Sequence, residues 1–315
     1  MPNHTDFNGD GRDDILWRTN GGGTGESLGQ LDGSFLLVGP GITLPLNSVV
    51  VTTGDFDGNG RDDALLRDGF TGTVSEWLSD VNGVLVQNQA VDYALDFAWN
   101  VAGTGDFNHD GYDDVLLRHD NGTVTEWLGG AGGTLSWNAA ATYALPVSWH
   151  VAGVGDFDGD SHDDVLLRHD NGTVTEWLGQ ANGTFFSNHA AATYTLPTGW
   201  NVAGTGDFSG DGKDDVLLRH NNGTVTEWLG ASGGSLTWNA AATYALPLNW
   251  SVVGIGDFNG GGRDDVLLRD NFGAVTDWLG QASGTFSSNH SVWTFDFFDW
   301  NTGIQPVSFT TPWDY

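Results

Sequence analysis

The sequence predicts an all-β chain, a six-bladed β-propeller of four-stranded antiparallel blades with its ring closed by the C-terminal segment. Three observations predict it. An Asp-rich nonapeptide recurs six times, each copy leads into the same strand–turn–strand pattern, and the first strand missing from one repeat turns up at the far end of the chain. The nonapeptides are DFNGDGRDD (6–14), DFDGNGRDD (55–63), DFNHDGYDD (106–114), DFDGDSHDD (156–164), DFSGDGKDD (207–215) and DFNGGGRDD (257–265), starting about 50 residues apart. A fixed period of this length is the signature of a solenoid or propeller.

The repeat from Trp149 to Trp200 shows the elements in order. "HVAGVGDF" alternates small and branched residues and reads as a tight first strand. "DDVLLRH" is a second, rich in Val and Leu. "DNG" is a hairpin turn, because Asn-Gly accepts the positive φ angles of a type I′ turn. "TVTEWLG" makes the third strand, "QANG" turns again, and "TFFSN" makes a fourth. "AAATYTLPTGW" then connects to the next repeat. No run of ten residues has helical apolar spacing free of Gly and Pro. The repeats fall at about 1–48, 49–99, 100–149, 150–200, 201–250 and 251–300, one propeller over 1–315, with 301–315 as closing strand and tail. Only Met1–Thr5 precede the first Asp, so repeat 1 lacks a "WNVAGTGDF" strand; "WNTGIQPVSF" (300–309) supplies one and covers the sheet edge that an open ring would expose.

Composition narrows the chemistry. The 315 residues carry 41 acids against 10 Lys and Arg, a formal charge of −31, and 24 of the acids are Asp residues inside the six nonapeptides. Acid concentrated in this way serves a local purpose, and it excludes nucleic acid and anionic membrane as partners. With no Cys, any metal sits on oxygen or imidazole. No apolar run reaches the length of a membrane span, so no membrane insertion is expected, and Met1-Pro2, without a leader, reads as the start of a mature or excised piece.

In D-x-[DN]-x-[DN]-G-x-x-D, oxygens at positions 1, 3, 5 and 9 can converge on one ion, with a backbone carbonyl from position 7, and the Gly at position 6 permits the sharp turn. The candidate ligands are Asp6, Asn8, Asp10, Arg12 and Asp14; Asp55, Asp57, Asn59, Arg61 and Asp63; Asp106, Asn108, Asp110, Tyr112 and Asp114; Asp156, Asp158, Asp160, His162 and Asp164; Asp207, Ser209, Asp211, Lys213 and Asp215; and Asp257, Asn259 and Asp265. The position-7 residues contribute their carbonyls. Oxygen donors in this number suit Ca²⁺ better than Mg²⁺, which keeps its waters. An EF-hand is excluded, since its twelfth position needs Glu and the third repeat has Leu117 there. Up to six Ca²⁺ are expected, the sixth held most weakly because Gly261 replaces the position-5 ligand. A solvated acidic turn is the plainer reading of one such loop; six copies at one period weigh against it.

"GDFNGDGRDDILWR" and its copies resemble the calcium-binding repeats called FG-GAP or VCBS repeats. Such repeats form the integrin α-chain propeller, fungal and bacterial propeller lectins, and domains of large secreted bacterial proteins. The Phe-Gly and Gly-Ala-Pro segments that name the family are replaced here by "WNVAGTGDF", closer to the bacterial form. The resemblance implies a secreted, extracellular protein in which Ca²⁺ pins the turn between the first two strands.

Strand polarity puts the acidic loops and the "GGAGG"-like turns on one face, and the "HDNG" turns and blade connections on the other. Trp99, Trp149, Trp200, Trp250 and Trp300 therefore recur beside His119 and Asp120, His169 and Asp170, and His220. An aromatic ring beside hydrogen-bonding groups suits a sugar, and repetition would make a multivalent glycan binder; the competing reading is that each Trp anchors blade packing. Arg118, Arg168 and Arg219 end second strands, facing Glu126, Glu176 and Glu227 on third strands, which suggests one buried Arg–carboxylate pair per blade or, alternatively, an Arg reaching a ligand at the junction. The His residues fall in turns and the carboxylates repeat six-fold, so no catalytic set stands out. The expected function is a secreted, calcium-stabilised carbohydrate-binding module, monomeric and not an enzyme; an adhesion or protein-interaction domain is the alternative, and a polysaccharide-degrading enzyme the third.

Overall fold

A computed structural model describes residues 5–19, 21–38, 41–294 and 305–306. Every strand among them lies in one of six antiparallel sheets, and no helix occurs among the described residues. The six sheets are the blades of a β-propeller.

Blade 4 shows the pattern. Its first strand is Trp149–Gly155, its second Asp164–His169 and its third Thr173–Gly179, each paired to the next. The fourth comes in two pieces, Phe185–Ser187 and Thr193–Thr195, both paired to the third. The "AAATYTLP" segment expected to be a connection is thus half outer strand; in blades 2 and 5 the fourth strand runs unbroken as Leu85–Ala94 and Ser235–Ala245. First strands carry a bulge at the same place, between Val151 and Gly153 in blade 4 and between Val202 and Gly204 in blade 5. Successive first strands pack on one another around the axis, and small residues let them: a Cβ added to Gly153 would lie 2.5 Å from Thr205 Cγ2 of the next blade.

The core lies in the seams between blades. Phe107 packs with Val151, Val154 and Val165 of the following blade, and Phe157 packs with Val202, Val216 and Leu218 in the same way. The Phe at the second position of each nonapeptide (Phe7, Phe56, Phe107, Phe157, Phe208 and Phe258) is fully buried. Tyr hydroxyls add a second tie, accepting a backbone N–H from the next blade, as Tyr143 does from Phe185 at 2.7 Å.

The ring closes as the sequence predicts. Gln305–Pro306 pairs antiparallel with Trp17–Arg18 as the first strand of blade 1. The rest of the closing segment, Trp300 included, lies outside the described residues. Ile15 and Trp17 share a core with Phe258 and Leu267, so the seam between blades 6 and 1 is built like the others.

Candidate functional site

Each acidic loop is wound around its first carboxylate. Asp156 accepts backbone N–H groups from Gly159 (2.7 Å), Asp160 (3.1 Å) and Ser161 (2.8 Å), and Asp6 does the same with Gly9, Asp10 and Gly11. This winding needs left-handed backbone at positions 4 and 6. Gly supplies it in most loops, but His109 (φ 56°) and Ser161 (φ 72°) adopt it too.

Position 9 ties the loop to the blade. One oxygen of its carboxylate accepts from the end of the third strand: Asp63 from Ser79 (2.8 Å), Asp114 from Gly129 (2.8 Å), Asp164 from Gly179 (2.9 Å). The other faces the loop interior. In blades 1 and 6 it accepts the position-3 amide, Asn8 to Asp14 (3.1 Å) and Asn259 to Asp265 (2.7 Å). In blades 2 and 3, Asp63 Oδ2 and Asp114 Oδ2 are buried with no hydrogen-bond partner, and so is Asn108 Oδ1. Burial pushes the Asp63 carboxyl up to about 9 and that of Asp164 to about 10, with repulsion from neighbouring carboxylates adding to it. Orphaned buried oxygens among repelling carboxylates are the environment that a hard cation relieves.

Two loops assemble three carboxylates at once. Oxygens of Asp55, Asp57 and Asp63, and of Asp156, Asp158 and Asp164, lie within 4.8 Å of one another, close enough to hold a metal ion. Position 5 is oriented differently. Asp160 accepts the backbone N–H (3.0 Å) and ring nitrogen (3.0 Å) of His162, and Asp211 meets Lys213 at 3.2 Å. In blade 6, where position 5 is Gly261, a pocket of about 230 Å³ opens beside Asn259, Arg263 and Asp32.

Position 8 was not among the expected functional residues, yet it is used at every seam. Its backbone N–H donates to the carbonyl of position 1 in the preceding blade all round the ring: Asp62 to Asp6 (3.0 Å), Asp113 to Asp55 (2.9 Å), Asp163 to Asp106 (3.1 Å), Asp214 to Asp156 (2.8 Å), Asp264 to Asp207 (2.9 Å) and Asp13 to Asp257 (3.1 Å). The side chain returns to the same residue, Asp214 Oδ2 accepting Asp156 N–H at 2.8 Å. The doubled Asp ending every nonapeptide was the available signal.

On the opposite face, Trp99, Trp149 and Trp200 are half-buried, open the first strands, and meet His119, His169 and His220 edge-on at 4.9–5.0 Å between ring centres. Trp250 stands opposite Asp270 instead. Each His Nδ1 accepts a backbone N–H, that of Asn121, Asn171 or Asn222, which leaves the proton of the neutral ring on Nε2. Polar groups follow: His150 reaches Asp170 (2.7 Å), Asn100 reaches Asp120 (3.3 Å) and Asn201 reaches Asn221 (3.2 Å). In blades 3 to 5 the expected Arg–carboxylate pair is replaced by two separate sets of contacts. Arg168 donates to Trp200 O (2.7 Å), Arg118 to Pro146 O (3.3 Å) and Arg219 to Pro247 O (3.5 Å), so these residues clip the connection to the following blade. Glu126, Glu176 and Glu227 each take an Asn amide instead. The register explains this: Arg168 stands opposite Val174 and Glu176 opposite Leu166, so a full residue pair separates them and the guanidinium points towards its own end of the sheet.

Two exposed aromatics escaped the sequence reading. Trp137 and Trp238, on the outer strands of blades 3 and 5, are 64% and 62% exposed, and each indole N–H is held by a Thr hydroxyl, Thr125 (2.8 Å) and Thr226 (3.0 Å). Their shared "WNAAATYALP" was the signal.

The profile of the FG-GAP-like repeat matches residues 6–66, 106–167, 156–218 and 207–268, most of the chain and each time from one acidic loop towards the next. The chain belongs to the FG-GAP-like repeat family. The FG-GAP-like repeats here coincide with the loop, seam and blade just described. No curated protein matches the chain. Among solved structures, a candidate 6-phosphogluconolactonase from Bacteroides uniformis ATCC 8492 aligns with a TM-score of 0.50 and 14% identity over 93% of this chain and 83% of that one, a likeness of fold alone. One from Bacteroides fragilis NCTC 9343 gives 0.49 and 16% over 90% and 79%, and BBS1N in complex with ARL6DN gives 0.46 and 9% over 89% and 77%.

Proposed function

We propose that this FG-GAP-like propeller is a secreted, calcium-stabilised, non-catalytic binding module whose ligand is a glycan. The acidic loops are structural, each holding Ca²⁺ on all-oxygen donors, and the opposite face does the binding. The observation that carries the reading is the Trp–His–Asn/Asp set at successive blade junctions: an aromatic edge, an Nε2 donor and a carboxylate or amide within one patch. A pyranose offers an apolar C–H face and a rim of hydroxyls to such a patch, and weak sites on neighbouring blades gain strength together. A glycan array probed with and without chelator tests it. Trp149→Ala and His169→Ala should weaken binding to a sugar-coated surface without unfolding the ring, and the paired Trp137→Ala/Trp238→Ala variant asks whether the outer strands contribute. Sugar density found only on the acidic-loop face overturns the assignment.

A specific observation favours a protein ligand as the second reading. Leu46, Phe97, Val147 and Leu248, each two residues after the Leu that ends a blade, are 55–71% exposed, and Phe70 and Phe272 at hairpin tips of the same face are 82% and 75% exposed. An apolar rim of this kind suits a protein surface. Loss of partner capture by Phe70→Ser, with glycan binding absent, would favour it.

A further inference from the structure

The third strand carries buried acids that the loops do not account for. Glu76, Glu126, Glu176, Glu227 and Asp277 are wholly buried in blades 2 to 6. In each, one oxygen accepts the amide of an Asn twelve residues on: Asn88 (2.8 Å), Asn138 (2.7 Å), Asn188 (2.6 Å), Asn239 (2.8 Å) and Asn289 (3.4 Å). The other oxygen is buried without a hydrogen bond in all five: Glu76 Oε1, Glu126 Oε2, Glu176 Oε2, Glu227 Oε2 and Asp277 Oδ1. One such orphan is an accident of packing; five in register are a design of the blade. Protonation does not resolve them, because an O–H there would need an acceptor as much as the oxygen needs a donor.

These acids lie beside their own blade's loop. In blade 1, a single point above Gly83 is 3.1 Å from Glu26 Oε2 and 3.5 Å from Cβ of Asn8, the position-3 residue. In blade 3 Glu126 stands opposite Leu116, two residues along the second strand from Asp114, and Glu176 and Glu227 hold the same place relative to Asp164 and Asp215. Asp63 and Asp114, at position 9, carry an orphaned oxygen of their own. The same Asn also grips the following blade: Asn88 donates to Gly132 O (3.1 Å), Asn188 to Gly233 O (2.9 Å) and Asn239 to Ser283 O (2.9 Å). The turn is pressed onto the carboxylate so closely that a Cβ at Gly234 would fall 2.0 Å from Glu176 Oε1.

We propose that the third-strand carboxylate holds a water bound to the loop's cation, and that through its Asn it passes cation loading to the turn of the next blade. Such a water donates one hydrogen to the orphaned Glu oxygen, and its own oxygen completes the ion's coordination. The carboxylate is a positioning residue, and each cation site spans a seam. The proposal rests on the calcium reading above.

The test uses the intact chain, with Ca²⁺ as probe. Glu176→Gln keeps an oxygen for Asn188 and removes the charge. In chelator the variant should melt higher than wild type, because a buried uncompensated charge is gone; in Ca²⁺ it should gain less, with one ion bound about 10- to 100-fold more weakly by calorimetry, the range for losing a residue that orients a metal ligand. Hydrogen exchange in the turn 231–234 should slow with Ca²⁺ in wild type and not in the variant. Asp164→Asn, which removes a loop ligand, should delete that ion altogether. If wild type binds no Ca²⁺, the calcium reading falls and this proposal with it. If wild type binds Ca²⁺ while Glu176→Gln keeps every affinity, or loses equal stability with and without calcium, the proposal alone is overturned. Glu126→Gln, the copy in blade 3, is judged by the same criteria should Glu176→Gln not fold.

Discussion

At the scale of single residues, the loop of blade 4 combines a full set of carboxylates with strained backbone. Ser161 occupies the left-handed position that Gly takes in the other loops, at φ 72°. A side chain there costs about 1–2 kcal/mol, so Ser161→Gly should raise stability by about 1 kcal/mol, read as a higher Tm in chelator and in Ca²⁺ alike. A gain seen only in Ca²⁺ would mean that the residue acts on the ion and not on the backbone. The clustering of acids within a loop was legible in the sequence because it is local: spacing along one loop is enough to bring Asp55, Asp57 and Asp63 together. Asp214 was not, because what it does is reach Asp156 across a seam 58 residues away. Glu176 looked like a partner for Arg168 for the same reason. A strand pattern says which residues share a face, but not whether a neighbouring blade has already taken one of them.

At the scale of the strand, the hairpin turns and the first three strands follow the sequence closely, since Asn-Gly turns and runs such as "DVLLR" leave few alternatives. The outer strand was harder to place. "AAATYTLP" has no alternation of its own and pairs because Tyr194 stands opposite Val174 while its hydroxyl holds Leu236 of the next blade at 2.6 Å. Tertiary contact decides an edge strand more than its own propensity does. The first strands carry the opposite constraint, being crowded from both sides. Gly153→Ala places a methyl 2.5 Å from Thr205 Cγ2, whose hydroxyl donates to Val154 O at 2.7 Å. Overpacking of this kind destabilises by about 1–3 kcal/mol, and denaturant unfolding of that variant should show it. Full stability would mean that the blades can slide apart at the axis.

At the scale of the molecule, buried acid ties stability to pH, and a cation held in the loops would reverse the sign of that dependence. Burial raises Asp63, Asp114, Asp164, Asp215 and Asp265 to values between about 8 and about 10, above those of an unfolded chain. The folded state therefore binds protons that the unfolded state has released, and the stability these groups contribute is complete below about pH 4 and lost as pH rises through about 8–10. In chelator, Tm should fall as pH climbs from 5 to 9. With Ca²⁺ holding the carboxylates ionised, acidification displaces the ion and the slope reverses. Scanning calorimetry in both conditions checks the pair of signs, and parallel curves would remove the cation from the account.

The position-8 latch has unlike halves. At each seam position 8 of one blade meets position 1 of the blade before it, N–H to carbonyl and carboxylate to N–H, so the contact is heterologous, and it is the round shape that stops it from propagating. A fragment of three blades would end with an unmatched position 8 on one side and an unmatched position 1 on the other, along with half of an apolar seam. Two such fragments are self-complementary as a pair. Residues 1–148 and 149–315, expressed separately and mixed, should reassemble into one particle of the intact molecule's mass, while either alone should chain into ladders of multiples. Light scattering tells these outcomes apart, and fragments that stay inert on mixing would show that the seams do not form between separate chains.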